Sequence, residues 1–474
     1  MRSVHRILVA LALAPVAGAA QSIDTLALEG HAAFLATDSL GGRANGSAGQ
    51  RIAAEYLVGQ LRRIGIPGAF AGGAYLQQLP LTRFDVDGRA TRLIVRRDAR
   101  ADTIAASEFH HQGGAPEAFA AFRGAPVDFG TSIAAAGALS GAEVRGHVVA
   151  VTAARGGNLP ALLDSLQARG ASAAIIVLPD SQLYRRLRNA RGASRFHVRA
   201  PLGSDNDRRM PVLLASPAAG RVLGVGAGVP GAGSAPAAPR RLRTVQLEVR
   251  VARRDIEAAN VAGFLPGTDP SRRDEPIVLV AHYDHVGFAE PVDGDSLYNG
   301  FMDNAVGAAT LLAAAEALRA RPPARPVIFL LATAEEEGSR GSAYFVAHPP
   351  MPLARAAAVN VDLPAPLAPP KSWIFEGDSA LGEAARRVAV ARGWTAERGP
   401  AQPNSDHWSF LARGVPAVFV VPGERWEGVT AAQEQALIER WWRPHQPDDE
   451  WSADFPAAGL SRVAELVVAL AREW

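Results

Sequence analysis

Side chains that bind metals well follow three apolar runs in the second half of the chain. His282 ends the run IVLVAH, Glu335 and Glu336 follow the run VIFLLATA, and Asp362 follows the run AAAVNV. Short apolar runs that alternate with helical segments are typical of buried parallel strands. Ligand sites of open α/β sheets form beyond the carboxyl ends of such strands. The spacing therefore predicts that these imidazole and carboxylate groups meet at one edge of one sheet.

Two further side chains complete a set that can hold two metal ions. Asp303 lies in NGFMDN after the first run, and His407 lies downstream in NSDHWSF. Zinc binds His nitrogen and carboxylate oxygen, and two neighbouring zinc ions need a bridging group such as a carboxylate. We expect Asp303 to bridge two Zn²⁺ ions per chain, one completed by His282 and Asp362 and the other by Glu336 and His407. One Glu of the 335–336 pair is then left as a general base.

Helical segments separate the strand-like runs and must position these groups. The residues from Asn304 to Arg319 are rich in Ala and Leu, and the patterns at 380–392 and 460–472 also predict helices. Near the N-terminus, residues 51–64 carry apolar side chains at helical spacing. This alternation predicts an α/β fold with one sheet and helices on both of its faces.

Composition and charge exclude some partners. The formal net charge of the 474-residue chain is only +2, and Arg2 and Arg6 lie in the first twenty positions, which contain no acidic residue. The remainder is therefore neutral, and nothing indicates a nucleic acid or an anionic membrane as partner. The chain contains no cysteine, so its stability does not depend on disulfides.

The first twenty residues have the pattern of a secretory signal peptide. Arg2, His5 and Arg6 precede an apolar stretch from Ile7 to Val16, and small residues follow at 17–20. The apolar stretch is too short to span a bilayer as a helix, and no later segment is long and apolar enough to do so. We therefore expect a periplasmic or secreted protein without stable membrane insertion.

The character of the sequence divides the mature chain into three parts. Residues 21–104 are expected to form the N-terminal part of the main domain, and residues 241–474 its larger part. Residues 105–240 form a compact α/β unit without clustered catalytic residue types, ending in a linker rich in Gly, Pro and Ala around 224–241.

Five motifs in the second half resemble those of a known enzyme family. AHYDHVGF, GFMDNAVGA, TAEEEGSRGS, NVDL and SDHWSF are similar in order and approximate spacing to the ligand motifs of the di-zinc exopeptidases. That family includes bacterial leucyl-type aminopeptidases, glutamate carboxypeptidase II and the transferrin receptor. The resemblance is strong over about 245–450, and the middle unit looks like the protease-associated domain that many members insert.

The resemblance implies a fold, an activity and roles for individual residues. The fold would be a mixed, mainly parallel sheet with helices on both faces, and the activity hydrolysis of peptide substrates, most commonly from the N-terminus. Glu335 would be the general base, and Asp284 would orient His282. His445, in RPHQPDDEW, and Trp408 would lie near the substrate pocket. The peptide bond between Asp303 and Asn304 would be cis.

Several alternatives stay open at this point. A carboxypeptidase of the same fold would need a basic recognition cluster, which one sequence cannot locate. A glutaminyl cyclase of the superfamily uses one zinc ion and would not need the whole ligand set. A non-catalytic receptor or scaffold would have lost ligands, whereas all five ligands and the base are present here. The sequence does not indicate the preferred side chain or the oligomeric state.

Overall fold

A computed structural model of the chain describes most residues from 23 to 474. The described ranges are 23–86, 92–97, 100–113, 125–132, 144–152, 159–189, 194–198, 210–223, 225, 240–248, 251–364, 367–423 and 425–474. The expected signal segment and most of the expected linker lie outside these ranges. Within them, no helix has the length and apolar character needed to cross a membrane.

Nine strands form the larger sheet, and its centre is parallel. In spatial order they are β18 (Thr395–Gly399), β17 (Ser372–Gly377), β19 (Ala417–Pro422), β16 (Ala357–Asn360), β12 (Ile277–His282), β15 (Val327–Ala332), β11 (Val251–Leu265), β1 (Leu76–Val86) and β8 (Ser194–Val198). The four strands β19, β16, β12 and β15 run parallel. Antiparallel pairings join β17, β11, β1 and β8 to this centre.

Helices cover both faces of the larger sheet because its central strands are apolar on both faces. Along β12, Ile277 and Leu279 pack into one core and Val278 and Val280 into the other. The first core is covered by α1 (Thr25–Leu35), α2 (Ala48–Ile64), α6 (Val306–Ala320), α8 (Ser379–Val390) and α11 (Leu460–Glu473). The second is covered by α7 (Arg340–Ala347) and α9 (His407–Leu411). The predicted α/β fold with a mixed sheet and helices on both faces is confirmed. Four of the eight described pairings in the larger sheet are parallel, so the sheet is parallel at its centre and not mainly parallel throughout.

Eight strands form a second, smaller sheet from the middle of the chain. In spatial order they are β3 (Arg100–Ala105), β2 (Arg92–Arg97), β10 (Arg240–Glu248), β5 (Ala125–Ser132), β6 (Val148–Thr152), β7 (Ala173–Val177), β9 (Val212–Ala215) and β4 (Phe109–Gly113). The helices α3 (Leu159–Ala168), α4 (Ser181–Asn189) and α5 (Pro217–Leu223) belong to this part. The sheet therefore begins before the expected boundary at 105 and ends after 240, while β8 from within that span joins the larger sheet.

Several short elements and one further helix complete the part of the chain that the structure describes. A hairpin of β13 (Gly287–Val292) and β14 (Asp295–Tyr298) follows β12, and α10 (Ala431–Trp441) precedes the last loop of the chain. A 3₁₀ turn, Asp38–Arg43, lies between α1 and α2. The helix α2 begins after Ser47, whose hydroxyl accepts a hydrogen bond from the backbone N–H of Gln50 at 3.1 Å.

The start of α2 packs tightly against the 3₁₀ turn. A Cβ added at Gly49 would lie 1.7 Å from the carbonyl oxygen of Leu40, which is backbone and cannot rotate away. Gly59, ten residues further along the same helix, has open space around its Cα. The two glycines therefore differ in purpose, because only Gly49 permits a close approach of two backbone segments.

We predict opposite effects of alanine at these two glycines. Gly49→Ala should lower the free energy of unfolding by about 1–3 kcal/mol, because the added methyl group forces the 3₁₀ turn away from the helix. Gly59→Ala should raise it by about 0.5–1 kcal/mol, because alanine favours a helix interior. Denaturant titration measures both, and equal changes at the two sites would contradict the close packing at Gly49.

Candidate metal centre

The parallel strands bring the predicted chemical groups to one edge of the larger sheet. His282 is the last residue of β12, and it lies opposite Ala332, the last residue of β15. Glu335 follows β15 by three residues, and Asp362 follows β16 by two. Because β12, β15 and β16 are parallel neighbours, their carboxyl ends meet and these three side chains lie close together.

The first group of potential ligands consists of His282, Asp303 and Asp362. The Nε2 atom of His282 lies 3.2 Å from Asp303 Oδ1 and 3.2 Å from Asp362 Oδ1. The second oxygen of Asp362 accepts a hydrogen bond from the Ser405 hydroxyl at 2.6 Å. This bond fixes the carboxylate with one oxygen turned toward the group.

The second group consists of His285, Asp303, Glu336 and His445. The Nε2 atom of His445 lies 3.0 Å from Asp303 Oδ2 and 3.0 Å from Glu336 Oε2. The Nδ1 atom of His285 lies 2.6 Å from Glu336 Oε1. Asp303 thus presents Oδ1 to the first group and Oδ2 to the second, which is the arrangement expected of a bridging carboxylate.

The expected role of His407 is wrong in this structure, because His407 lies outside both groups. Its ring stacks on Phe419 with 5.4 Å between the ring centroids, and burial lowers the pKa of the imidazole to about 4. His445, expected near the substrate, occupies the position expected for His407. Trp408, also expected near the substrate, follows His407 on α9 and has a side chain that is 40% exposed.

Sequence reasoning placed His445 in the wrong role and missed His285. His445 lies in a long loop between α10 and α11, and its backbone adopts a left-handed conformation with a φ of 55°. His285 lies three residues after His282, in the loop that follows β12. The end of β12 and this loop therefore place one imidazole in each group. The second His in AHYDHVG was the available signal.

Asp449 ties the His445 loop to the segment that carries Asp303. Its two carboxylate oxygens accept hydrogen bonds from the backbone N–H groups of Met302, at 2.8 Å, and Asp303, at 3.1 Å. The peptide bond between Asp303 and Asn304 is cis, as expected. One loop therefore supplies both a potential ligand and the support for the bridging residue.

Asp284 supports the site through its backbone and its side chain. Its carbonyl oxygen lies 3.2 Å from Nδ1 of His282, whereas the nearest carboxylate oxygen lies at 3.8 Å. The carboxylate accepts hydrogen bonds from the backbone N–H of Glu335, at 3.2 Å, and from the side-chain amide of Asn45, at 2.9 Å. Asp284 therefore connects His282 to the Glu335 loop, and its expected orienting role toward His282 acts mainly through the backbone.

The segment between α1 and α2 extends this support. The side-chain oxygen of Asn45 accepts hydrogen bonds from Gln50, at 2.7 Å, and from the Thr333 hydroxyl, at 2.8 Å. Asn45, Gln50 and Thr333 are all buried. Buried polar groups of this kind need partners to offset their desolvation, and here each partner lies in the same network.

A buried arginine holds the two loops that carry the ligands. Arg43 is fully buried and donates hydrogen bonds to the backbone carbonyls of Leu35, Tyr283, Asn299 and Gly300. Tyr283 directly follows His282, and Gly300 lies three residues before Asp303. Burial lowers the pKa of Arg43 to about 10, although nearby carboxylates oppose this shift. The side chain therefore stays charged at neutral pH beside the acidic site.

The imidazoles keep the carboxylates of Asp303 and Glu336 ionised. Burial alone would raise the pKa of Asp303, but His282 and His445 outweigh it and hold the pKa well below its usual range. Burial would also raise the pKa of Glu336, but His445 and His285 outweigh burial and lower the pKa to about 2. Ionised carboxylates are the form that binds cations.

Glu335 behaves differently from its neighbour. Burial raises the pKa of Glu335 well above its usual range, and the carboxylates of Asp362 and Asp406 add to this effect. Asp406 is itself buried, and burial raises its pKa to about 7. Two adjacent glutamates thus have environments that shift their pKa values in opposite directions, a pattern typical of a ligand beside a general base.

The donor set suits zinc. In each group the potential ligand atoms lie within 4.8 Å of one another, and they are imidazole nitrogens and carboxylate oxygens. Zinc prefers this combination, whereas calcium and magnesium prefer oxygen alone. The residues present therefore fit a zinc centre built around Asp303.

Comparison with known proteins agrees with this geometry. The model of peptidase family M28 matches residues 260–471. The chain contains a peptidase family M28 domain. The matched residues include every member of both groups, and the match supports a metallopeptidase. No curated protein sequence matches the chain.

Solved structures show the same fold as the M28 domain and its surroundings. An aminopeptidase from Aneurinibacillus sp. strain AM-1 is similar over 95% of this chain and 94% of its own, with 16% sequence identity and a TM-score of 0.58. A zinc aminopeptidase from Bacillus subtilis is similar over 94% of each chain, with 18% identity and a TM-score of 0.53. The supporting residues Arg43, Asn45 and Gln50 lie outside the part matched by the family model. The N-terminal segment therefore contributes side chains that support the site of the M28 domain.

We predict that His445 and His407 differ in their effect on metal content. His445→Ala should lose about half of the bound zinc, because the second group then contains only Asp303, Glu336 and His285. His407→Ala should keep the full zinc content of the unchanged protein. Elemental analysis of folded, gel-filtered protein measures both variants. Loss of zinc from the His407 variant alone would show that His407, and not His445, is the zinc ligand.

Proposed function

We propose that the protein is an exported aminopeptidase that binds two zinc ions and hydrolyses N-terminal residues from peptides. The observation that carries this proposal is the position of Asp303, whose two oxygens face two separate ligand groups. A bridging carboxylate between two sets of imidazole and carboxylate donors is characteristic of two-metal hydrolases. The likeness in fold to aminopeptidases supports the same activity.

Each of the two zinc ions would have its own imidazole and carboxylate ligands and share Asp303 with the other. His282 and Asp362 would hold one zinc ion, Glu336 and His445 the other, and Asp303 both. When bound, the two ions act as Lewis acids that lower the pKa of the attacking water and polarise the scissile carbonyl. This ligand set differs from the sequence-based set only in the exchange of His407 for His445.

Glu335 is proposed as the general base. Its backbone N–H is held by Asp284, and its Oε1 atom accepts a hydrogen bond from the Ser339 hydroxyl at 3.3 Å. It belongs to neither ligand group, so its carboxylate is available to take a proton from water. Because burial raises the pKa of Glu335, the carboxylate accepts this proton readily and can donate it to the leaving amine.

The charge of the site favours an amino terminus over a carboxyl terminus in the substrate. The carboxylates of Asp284, Asp406 and Asp449 lie buried around the ligand groups. The guanidinium of Arg43 is occupied by four backbone carbonyls. Arg43 is therefore not available to pair with a substrate carboxylate, whereas the ionised carboxylates of the site can attract a substrate ammonium group.

Export is proposed from the sequence alone. The first twenty residues combine a basic start, an apolar stretch and a small-residue cleavage site. The proposed location is therefore the periplasm or the exterior of the cell.

We predict that substitution of Glu335 and of Glu336 by glutamine affects different properties of the protein. Glu335→Gln should lower kcat by about 10²–10⁴-fold while both zinc ions remain, because glutamine keeps the shape but cannot accept a proton. Glu336→Gln should instead lose one zinc ion, because the carboxylate charge is removed. Activity assays and elemental analysis on the same samples measure both effects. Near-full activity of the Glu335 variant would reject its role as base.

We also predict which substrates the zinc-loaded mature protein cleaves. Aminoacyl reporter substrates and peptides with a free N-terminus should be hydrolysed, because the ammonium group is attracted to the acidic site. The same peptides with an acetylated N-terminus and a free C-terminus should be at least tenfold poorer substrates. Preferred cleavage of the acetylated peptides, with release of the C-terminal residue, would identify a carboxypeptidase instead.

A further inference from the structure

His285 contacts the second ligand group in a way that the proposed zinc ligands do not explain. Its ring is buried, and its Nδ1 atom lies 2.6 Å from Glu336 Oε1. The other oxygen of the same carboxylate, Oε2, lies 3.0 Å from Nε2 of His445. The two imidazoles therefore approach different oxygens of Glu336, one on each side of its carboxylate.

The separations distinguish a ligand from a hydrogen-bond donor. Two atoms that bind one zinc ion at about 2.1 Å in tetrahedral geometry lie about 3.4 Å apart. The distance of 2.6 Å between His285 Nδ1 and Glu336 Oε1 is much shorter and is typical of a charge-assisted hydrogen bond. His285 Nδ1 is also 4.0 Å from Asp303 Oδ2, whereas His445 Nε2 is 3.0 Å from the same atom. His285 thus lies at the outer side of the group.

The tautomer of His285 follows from its partner. An ionised carboxylate can only accept hydrogen bonds, so the short contact requires the proton on Nδ1. The Nε2 atom is buried and has no hydrogen-bond partner among the described residues. The ring is instead held by shape, since a Cβ at Gly300 would lie 2.4 Å from its Cγ atom. Among the described residues, the ring therefore makes one hydrogen bond, and its partner is Glu336.

We propose that His285 is a positioning residue for the metal ligand Glu336. The Nδ1–H group donates to Oε1 and fixes the carboxylate so that Oε2 faces Asp303 and His445. Hydrogen bonds to ligands from outside the coordination sphere commonly strengthen metal binding by about 10–100-fold. This inference rests on the proposed zinc site, and it adds a residue that acts on the metal through Glu336.

Three proteins test the proposal: the unchanged chain, His285→Ala and His285→Asn. The alanine variant removes the donor, whereas the side-chain amide nitrogen of asparagine lies near the position of Nδ1 and can still donate. Titration against a chelator measures the affinity of the weaker zinc site. Circular dichroism and thermal unfolding of each zinc-loaded protein show that it is folded.

We expect His285→Ala to weaken one zinc site by about 10–100-fold and His285→Asn to restore most of that affinity. The cobalt-substituted proteins, saturated with Co²⁺, should have the same visible absorption bands, because the atoms bound to the ion are unchanged. A changed cobalt spectrum in the asparagine variant would show that His285 is itself a ligand and would overturn the proposal. Unchanged zinc affinity in the alanine variant would overturn it as well.

The affinity measurement separates this inference from the proposed function. If the unchanged chain binds two zinc ions but hydrolyses no peptide, the proposed activity fails while the role of His285 can still be confirmed. If the unchanged chain binds fewer than two ions, the proposed site itself fails, and the positioning role of His285 falls with it.

Discussion

Burial of many carboxylates at one sheet edge is the constraint on which the site depends. Five buried aspartates and two partly buried glutamates lie there: Asp284, Asp303, Glu335, Glu336, Asp362, Asp406 and Asp449. Charges taken out of water are costly unless they are paired. Three imidazoles and Arg43 offset part of this charge, and bound cations are the natural complement of the rest.

Different parts of the chain support the charged groups of the site. The parallel strands fix His282 and Asp362 at their ends, the last loop brings His445 and Asp449, and the N-terminal segment brings Arg43. Removal of any one support leaves a buried group without its partner. The N-terminal segment is therefore as much a part of the metal centre as the M28 domain that contains the ligands.

The sequence predicted the features that local residue patterns determine. It failed where the path of the chain through the fold decides which side chains meet. The apolar runs IVLVAH and VIFLLA are short and alternate with helical segments, which is typical of buried strands in a covered sheet. The meeting of His282, Glu335 and Glu336 at one sheet edge was therefore predicted. His407 directly follows Asp406 and His445 lies three residues before Asp448, and spacing alone does not show which of the two imidazoles reaches the metal site. The difference arises because the loop after α10 crosses back to Asp303, a path set by tertiary packing.

Crystals of the zinc-loaded protein, measured at the zinc absorption edge, test the central claim most directly. The account predicts two anomalous peaks about 3.5–4 Å apart, one in contact with His282, Asp303 and Asp362 and the other with Asp303, Glu336 and His445. A single peak, or a second peak bound by His407 rather than His445, would contradict the account.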